Sequence, residues 1–402
     1  MSILVAVLGL GLLVFVHELG HFGASIALRM RPRKFYVGFP PAMVKTTRNG
    51  IEYGIGTIPL GGFVKIPGMH RPAPGDVDVA FDRAIEEAPQ AAPAAIRLRE
   101  SLAAGDLAAA RLELAAVGEH LDSRELSEPA RRSAERGLTD LEDALGPDAY
   151  WRAKTWKRVL VIAAGPLANI LLALVLFAVL FMTSGGRATT TIDQVATDAP
   201  AAAAGLRAGD RIVLIDGMPV DAEDISRRIS GSNGAPLTLK IERSGGLMDI
   251  GPVRAQEMDG AYRLGFVLRG EGLGLAESVG ESFRITGLVT RDIVSSLGRL
   301  VTGEGRDDIA SPIGIVQGSS DAADEGVDSF LWVLGLISLS IALLNLLPLL
   351  PLDGGHIAFA IVEGVRGRAV RREIYERVSI VGIGIVLLLF FIGVTNDIGR
   401  LS

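Results

Sequence analysis

Long apolar runs separate the polar segments of this chain. Three runs carry no charged residue, and a fourth, Ile3–Leu28, carries ionisable side chains only within His17–His21. Each run is close to the roughly 20 residues that a helix needs to cross the hydrocarbon core of a membrane. The pattern therefore predicts four transmembrane helices, assigned to residues 1–29, 158–184, 330–353 and 377–396.

The composition agrees with a membrane protein of this kind. Hydrophobic residues make up 49% of the 402 positions, and the mean hydropathy is +0.37. The net charge of −6 and the dispersed basic residues argue against a nucleic-acid-binding protein. The chain has no cysteine, which excludes disulfides and thiolate metal ligands.

Lysine and arginine collect beside the apolar runs and predict the orientation. Basic clusters follow the first run, precede the second and lie in the predicted loop 354–376, and such clusters mark cytoplasmic loops. We expect these segments to be cytoplasmic and residues 184–329 to lie outside. The clusters are Arg29, Arg31, Arg33 and Lys34; Arg152, Lys154, Lys157 and Arg158; and Arg366, Arg368, Arg371 and Arg372.

Two cytoplasmic segments are predicted between the first and second runs. Residues 30–69 contain short strand-like stretches around an Asn49-Gly50 turn and predict a membrane-associated β-hairpin region. This region could be a simple cap or a sheet that contacts substrate. Residues 70–157 are rich in alanine and charge, and helical spacing over Leu102–His120 and Arg131–Leu145 predicts a small helical insert.

The motif His17-Glu18-Leu19-Gly20-His21 lies inside the first predicted span. Two histidines four residues apart on a helix can bind one Zn²⁺, with the intervening glutamate beside the attacking water. Ionisable residues at membrane depth are costly and therefore indicate a functional site. A chance match in an apolar helix is the alternative.

A third zinc ligand is expected from elsewhere, because catalytic sites usually have three protein ligands. Asp353 follows the third apolar run, at the same predicted membrane face as the histidine motif. His356, three residues later, is an alternative ligand.

Residues 187–270 alternate strand-like runs and turns, and their segment Gly205–Gly217 resembles the pattern of a PDZ domain. Such a domain binds an extended peptide at a sheet edge. Residues 271–329 are expected to form an extracytoplasmic amphipathic linker. The predicted fold is thus a polytopic α-helical membrane protein with a β-hairpin region and one extracytoplasmic PDZ domain.

Together these motifs resemble the site-2 protease family of intramembrane zinc metalloproteases, in its bacterial RseP-like branch. The resemblance rests on five features of the chain. These are the first-span histidine motif, Ala164–Asn169 in the second span, the segment Asn345–Gly354, the hairpin segment Pro59–Lys65 and the PDZ-like region 187–270.

The resemblance implies that His17, His21 and Asp353 bind Zn²⁺ and that Glu18 is the catalytic base. It also implies that Asn345 and the hairpin residues Gly61, Gly62 and Phe63 contact the substrate.

The resemblance further implies cleavage of transmembrane segments in regulated intramembrane proteolysis. Anti-sigma factors or remnant signal peptides would be the substrates. The predicted position of the PDZ domain outside the membrane suggests the hypothesis that this domain controls substrate access. The protein would lie in the bacterial inner membrane, with the active site toward the cytoplasm.

Two other classes compete with a protease. The first is a non-catalytic PDZ adaptor with a structural metal site. Such a site does not need a glutamate beside the metal, so the presence of Glu18 disfavours this class. A metal transporter predicts ionisable residues along the spans, whereas here they cluster at one depth.

Overall fold

The computed structural model describes residues 2–121, 126–258, 260–302, 305, 311–370 and 372–401. A few positions fall between these ranges and lie outside the described residues. They belong to the predicted insert, PDZ domain, linker and cytoplasmic loop, and Arg371 is one of them. The chain divides into two units. The first takes in the described residues of 1–172, 293–321 and 337–402, and the second those of 173–292 and 322–336.

Helices predominate in the chain. In order they are α1 Ser2–Ala27, α2 Pro74–Glu87, α3 Ala92–Ala104, α4 Leu107–His120, α5 Glu128–Leu145, α6 Thr155–Leu180, α7 Pro200–Ala203, α8 Ala222–Gly231, α9 Leu275–Thr302, α10 Pro312–Glu325, α11 Val327–Asn345, α12 Asp353–Arg366 and α13 Arg372–Leu401. The strands are β1 Lys34–Arg48, β2 Ile51–Lys65, β3 Arg187–Val195, β4 Arg211–Ile215, β5 Met218–Pro219, β6 Pro236–Arg243, β7 Gly246–Arg254, β8 Gln256–Met258, β9 Ala261–Arg263 and β10 Phe266–Glu271.

Four of the described helices are long and apolar enough to cross a membrane. They cover Ser2–Ala27, Thr155–Thr183, Val327–Asn345 and Ile374–Gly399, and no more than 33% of any apolar window is buried. Most of this apolar surface therefore faces outward, where a membrane protein meets lipid. The predicted four spans are confirmed at this level.

The third span is shorter than predicted. Helix α11 ends at Asn345, and Asp353 begins the separate helix α12, which continues into the predicted 354–376 loop. Pro348 and Pro351 lie between the two helices, and proline can neither donate a backbone hydrogen bond nor continue a helix comfortably. Asp353 is consequently a residue of a first helical turn and not the end of a span.

The hairpin region packs on α1 through aromatic rings. The Phe22 and Phe35 ring centroids lie 4.8 Å apart, and Phe22 also contacts Tyr53 at 5.9 Å. The predicted Asn49-Gly50 turn is present, with positive φ at both residues, as a tight two-residue hairpin turn requires.

This sheet has more than the two strand segments of a simple hairpin. Segment 34–37 pairs on one side with 62–65 and on the other with 52–55, which also pairs with 44–47. The strand does not end at Pro40-Pro41 as predicted. It continues through these residues as β1, and its pairing with β2 changes register there. Segment 62–65 is therefore an outer edge of the described sheet, and we call it the edge strand.

The predicted insert is a bundle of α2 to α5 around a core of alanine and leucine side chains with Phe81. The helix predicted over 102–120 is divided between α3 and α4. Gly105 adopts a left-handed φ of 74°, and the Asp106 side chain accepts hydrogen bonds from Ala108 and Ala109. Left-handed glycine ends helices and aspartate caps them, so two local signals override the apolar spacing.

The second unit contains a sheet with the strand order β10-β3-β4-β6-β7, and β5 pairs with β4. Its core includes Ile212, Ile215 and Leu239 with Ile225 of α8. Asp210, only 1% exposed, accepts hydrogen bonds from Arg243 at 2.6 Å and from the backbone of Arg207 at 2.8 Å. The predicted linker is largely helical, formed by α9 and α10.

Candidate metal centre

Helix α1 presents His17 and His21 on one face. Both histidines are 7% exposed, and their Nε2 atoms lie 3.2 Å apart. This follows from the helical repeat, because residues i and i+4 are neighbours on one side of a helix. The two rings meet edge to face, with an interplanar angle of 81°.

Asp353 completes a triangle of potential ligand atoms. Its Oδ2 atom lies 3.2 Å from Nε2 of His17 and 3.3 Å from Nε2 of His21. The glycines after Asp353 allow the preceding loop to fold back, since a Cβ on Gly354 would lie 2.2 Å from the Leu347 carbonyl oxygen. The break after α11 and this close approach bring the carboxylate to the histidines.

The spacing of the three atoms fits Zn²⁺. Tetrahedral coordination with bonds of about 2.0–2.1 Å separates neighbouring ligand atoms by about 3.3 Å, which matches all three distances. Oδ2 of Asp353 is buried, and no hydrogen-bond donor satisfies it within the described residues. A cation bound by the three atoms would compensate this carboxylate and keep a fourth position for water.

Helix α6 orients His21. The His21 Nδ1–H donates a hydrogen bond to the carbonyl oxygen of Val161, at 3.0 Å, which leaves Nε2 unprotonated and able to bind metal. A second hydrogen bond of this kind fixes the ring orientation of metal-binding histidines. His17 has no such partner for its buried Nδ1 among the described residues.

Close contact between α1 and α6 depends on missing side chains. A Cβ on Gly20 would lie 2.3 Å from the Ala164 carbonyl oxygen, and a Cβ on Gly165 would lie 2.3 Å from Nε2 of His21. Small residues allow membrane helices to approach closely. Gly165 therefore provides the space that the His21 ring occupies.

Glu18 faces the edge strand. A Cβ on Gly62 would lie 2.9 Å from Cγ and 3.8 Å from Cδ of Glu18. The glutamate between the two histidines is thus held against a strand of the hairpin sheet.

Comparison with known proteins agrees with this geometry. The model of peptidase family M50 matches residues 5–389. The chain is 30% identical over 422 residues to the zinc metalloprotease RasP of Geobacillus kaustophilus, covering 99% of this chain and 98% of that protein. It is 29% identical over 420 residues to the zinc metalloprotease RasP of Bacillus licheniformis, covering 100% and 99%.

This chain belongs to peptidase family M50. The expected zinc metalloprotease of the site-2 type is thereby confirmed at the level of family and cofactor. With its four apolar helices and relatives in bacteria, the M50 peptidase is a bacterial membrane protein.

The remaining predicted residues lie in different settings. Gly61 is half-buried with a φ of 122°. The Phe63 ring stacks on Tyr36 at 5.1 Å. Asn345 is the last residue of α11 and half-buried. Their predicted contacts with substrate stay predictions.

The alternative ligand His356 lies outside the triangle. It is not part of the group formed by His17, His21 and Asp353, and its Nδ1 lies 2.6 Å from the Tyr375 hydroxyl. The sequence interpretation missed the contact of Val161 with His21, because a backbone carbonyl leaves no mark in the residue type.

Proposed function

We propose that this M50 peptidase hydrolyses peptide bonds within transmembrane segments of other proteins. His17, His21 and Asp353 would hold Zn²⁺, and Glu18 would act as general base. The observation that carries the proposal is the triangle of ligand atoms at 3.2–3.3 Å, with Glu18 beside it on an apolar helix of membrane-spanning length.

The proposed chemistry divides between metal and protein. When bound, Zn²⁺ lowers the pKa of water to about 7 and polarises the scissile carbonyl. Glu18 accepts the proton of the attacking water and passes it to the leaving amine. Val161 keeps Nε2 of His21 available as a ligand, and Gly62 leaves the space that the Glu18 side chain occupies at the site.

A substrate helix must unwind before it can be cut, because its backbone groups are hydrogen-bonded to one another. We propose that the freed strand pairs with Gly62–Val64 of the edge strand, replacing part of the lost hydrogen bonding. The outer position of this segment in the sheet and its contact with Glu18 support the idea. Gly61 and Phe63 would shape this surface, and Asn345 would contact the unwound substrate.

The test is cleavage of a single-span model substrate by the purified protein in detergent. We expect Glu18→Gln to reduce cleavage within the span at least about 10³-fold while zinc content stays at one per chain. A zinc chelator should abolish cleavage by the unaltered protein. Glu113→Gln, at a half-buried position of α4 in the helical insert, is the control.

Equal cleavage by Glu18→Gln would overturn the role of Glu18. Failure of the unaltered protein to cut any single-span substrate, with zinc bound, would favour the adaptor.

We further propose that residues 187–270 form an extracytoplasmic PDZ domain that controls substrate access in the bacterial inner membrane. The sequence pattern and a sheet with the two edge strands β7 and β10 support this. Substrates would be membrane-anchored anti-sigma factors or remnant signal peptides, cut after an earlier protease has shortened their outer part.

This control predicts a change in selectivity when the domain is deleted. Removing 188–270 should raise cleavage of a full-length substrate relative to a pre-shortened one, because the bulky outer part is no longer excluded. An unchanged ratio of the two rates would contradict access control by the domain. That outcome would not contradict the proposed protease function.

A further inference from the structure

Carboxylates near the end of the helical insert form ion pairs with the hairpin sheet. The Asp143 side chain, 7% exposed, accepts a hydrogen bond from Arg33 Nε at 2.7 Å and lies 3.3 Å from Lys65 Nζ. Asp140 accepts from Lys65 at 2.8 Å, and Asp148 accepts from Arg33 at 2.9 Å. We call these three aspartates and two basic residues the carboxylate clamp.

The clamp joins adjacent strands of the hairpin sheet. Arg33 precedes β1 and Lys65 ends β2, and the Arg33 N–H donates to the Lys65 carbonyl oxygen at 2.7 Å. A single buried carboxylate, Asp143, therefore contacts both strand ends. Lys65 lies three residues after Gly62, which lies against the Glu18 side chain.

Backbone hydrogen bonds also attach the segment after the edge strand to the residues that follow α5. The N–H groups of Tyr150 and Trp151 donate to the carbonyl oxygens of Pro67 and Gly68, at 2.9 and 3.1 Å. The Trp151 indole N–H donates to the Ala144 carbonyl oxygen at 2.7 Å. The chain leaving the edge strand is thus attached to the end of α5 and to the segment that follows it.

The two basic residues of the clamp stay charged at neutral pH. Burial lowers the pKa of Lys65, but Asp140 and Asp143 outweigh burial and raise that pKa above its ordinary value. Arg33 behaves in the same way beside Asp148 and Asp143. Removing one partner would leave charges partly buried without compensation, which is strongly unfavourable.

We infer that the helical insert positions the catalytic glutamate. Through the carboxylate clamp, α5 would hold the edge strand in the register at which Gly62 contacts Glu18. Asp143 and Lys65 are then positioning residues for the reaction, and the insert has a defined role. This inference rests on the proposed function of Glu18 as the general base.

The test combines hydrogen exchange with kinetics on the full chain in detergent. For Asp143→Asn we expect amide exchange within 62–65 to rise at least about tenfold and kcat for the single-span substrate to fall by a similar factor. Zinc content should not change, because no ligand is altered. Lys65→Met should act in the same direction, and Lys65→Arg, which keeps the charge, should largely restore both quantities.

The control variant is Glu113→Gln, which removes the ion pair of Glu113 with Arg97 inside the same insert and should change neither quantity. The inference is overturned if Asp143→Asn and Lys65→Met leave edge-strand exchange and kcat unchanged. It is also overturned if exchange rises only in α2 to α5, since that describes a merely structural pair. Absence of cleavage by the unaltered protein would instead reject the proposed function, and the exchange measurement would still test the clamp.

Discussion

Single residues without a side chain decide whether the proposed metal ligands can converge. Gly165 lies against the ring of His21, and Gly62 lies against Glu18. The sequence motif contributes donor atoms, but these glycines leave the volume in which the donors fit. Their contribution can be tested without changing any ligand.

Gly165→Ala is predicted to impair zinc binding. The added Cβ would lie 2.3 Å from Nε2 of His21, so the ring must move away from the other two ligands. We expect zinc affinity to fall at least about tenfold, as when the partners that orient metal ligands are lost, and proteolysis to fall with it. Competition with a chelator of known affinity measures the change.

Gly23→Ala is the matched control for this substitution, because a Cβ at Gly23 meets no atom within 4 Å. Unchanged zinc affinity in Gly165→Ala would show that the helices adjust without displacing His21.

At the scale of elements, the hairpin sheet is stabilised by an ionised side chain. Glu52 of β2 accepts a hydrogen bond from the Tyr36 hydroxyl at 2.7 Å and pairs with Lys34 at 3.1 Å. The hydrogen bond from Tyr36, assisted by Lys34, lowers the pKa of Glu52 to about 2 although burial opposes this. Burial and the same hydrogen bond raise the pKa of Tyr36 to about 12.

This arrangement predicts a pH-dependent effect of Glu52→Gln on stability. A carboxyl with a lowered pKa in the folded state stabilises the fold above its unfolded-state pKa of about 4.3 and loses that contribution as pH falls toward 2. The variant should be less stable by about 1 kcal/mol at pH 5 to 8. The difference should shrink between pH 4 and pH 2.

Thermal unfolding in detergent at pH 7, 5 and 3 measures this difference. A destabilisation by Glu52→Gln that is the same at pH 3 and pH 7 would contradict the ionised role of Glu52. A destabilisation confined to low pH would mean that the protonated carboxyl of Glu52, and not the ionised one, stabilises the fold.

At the scale of the whole molecule, the metal centre joins helices from opposite ends of the chain. His17 and His21 belong to α1, and Asp353 begins α12. Arg158 of α6 and Glu363 of α12 form an ion pair at 2.7 Å within the same unit. Zinc binding should therefore stabilise the first unit as a whole.

Zinc removal is predicted to lower the thermal stability of this unit. A ligand that binds only the folded state at 100 times its Kd contributes about 2.7 kcal/mol, so a chelator should reduce Tm by several degrees. Readdition of zinc should restore it. His17→Ala, which lacks one ligand, should begin at the lower Tm and respond little to the chelator.

Equal responses of the unaltered protein and His17→Ala to the chelator would mean that zinc stabilises the chain through another site. The comparison is a measurement of stability, so it does not depend on having the right substrate.

The sequence by itself determined the membrane class and the four spans, and it predicted the ligand set. Span length and the i, i+4 spacing of His17 and His21 are local properties, so the sequence shows them directly. The match of Asp353 to the family motif supplied the proposed third ligand. The Asn49-Gly50 turn was equally local, since both residues tolerate positive φ.

The tertiary structure decided the features that depend on residues far apart in the chain. The Val161 carbonyl on His21, the contact of Gly62 with Glu18 and the carboxylate clamp each join segments that no local pattern relates. The predicted third span ran past the end of α11 at Asn345, because the apolar composition continues to Leu352 although Pro348 and Pro351 interrupt the helix. Hydrophobicity shows whether a segment can enter a membrane, whereas tertiary packing determines which of its atoms contact residues far away in the chain.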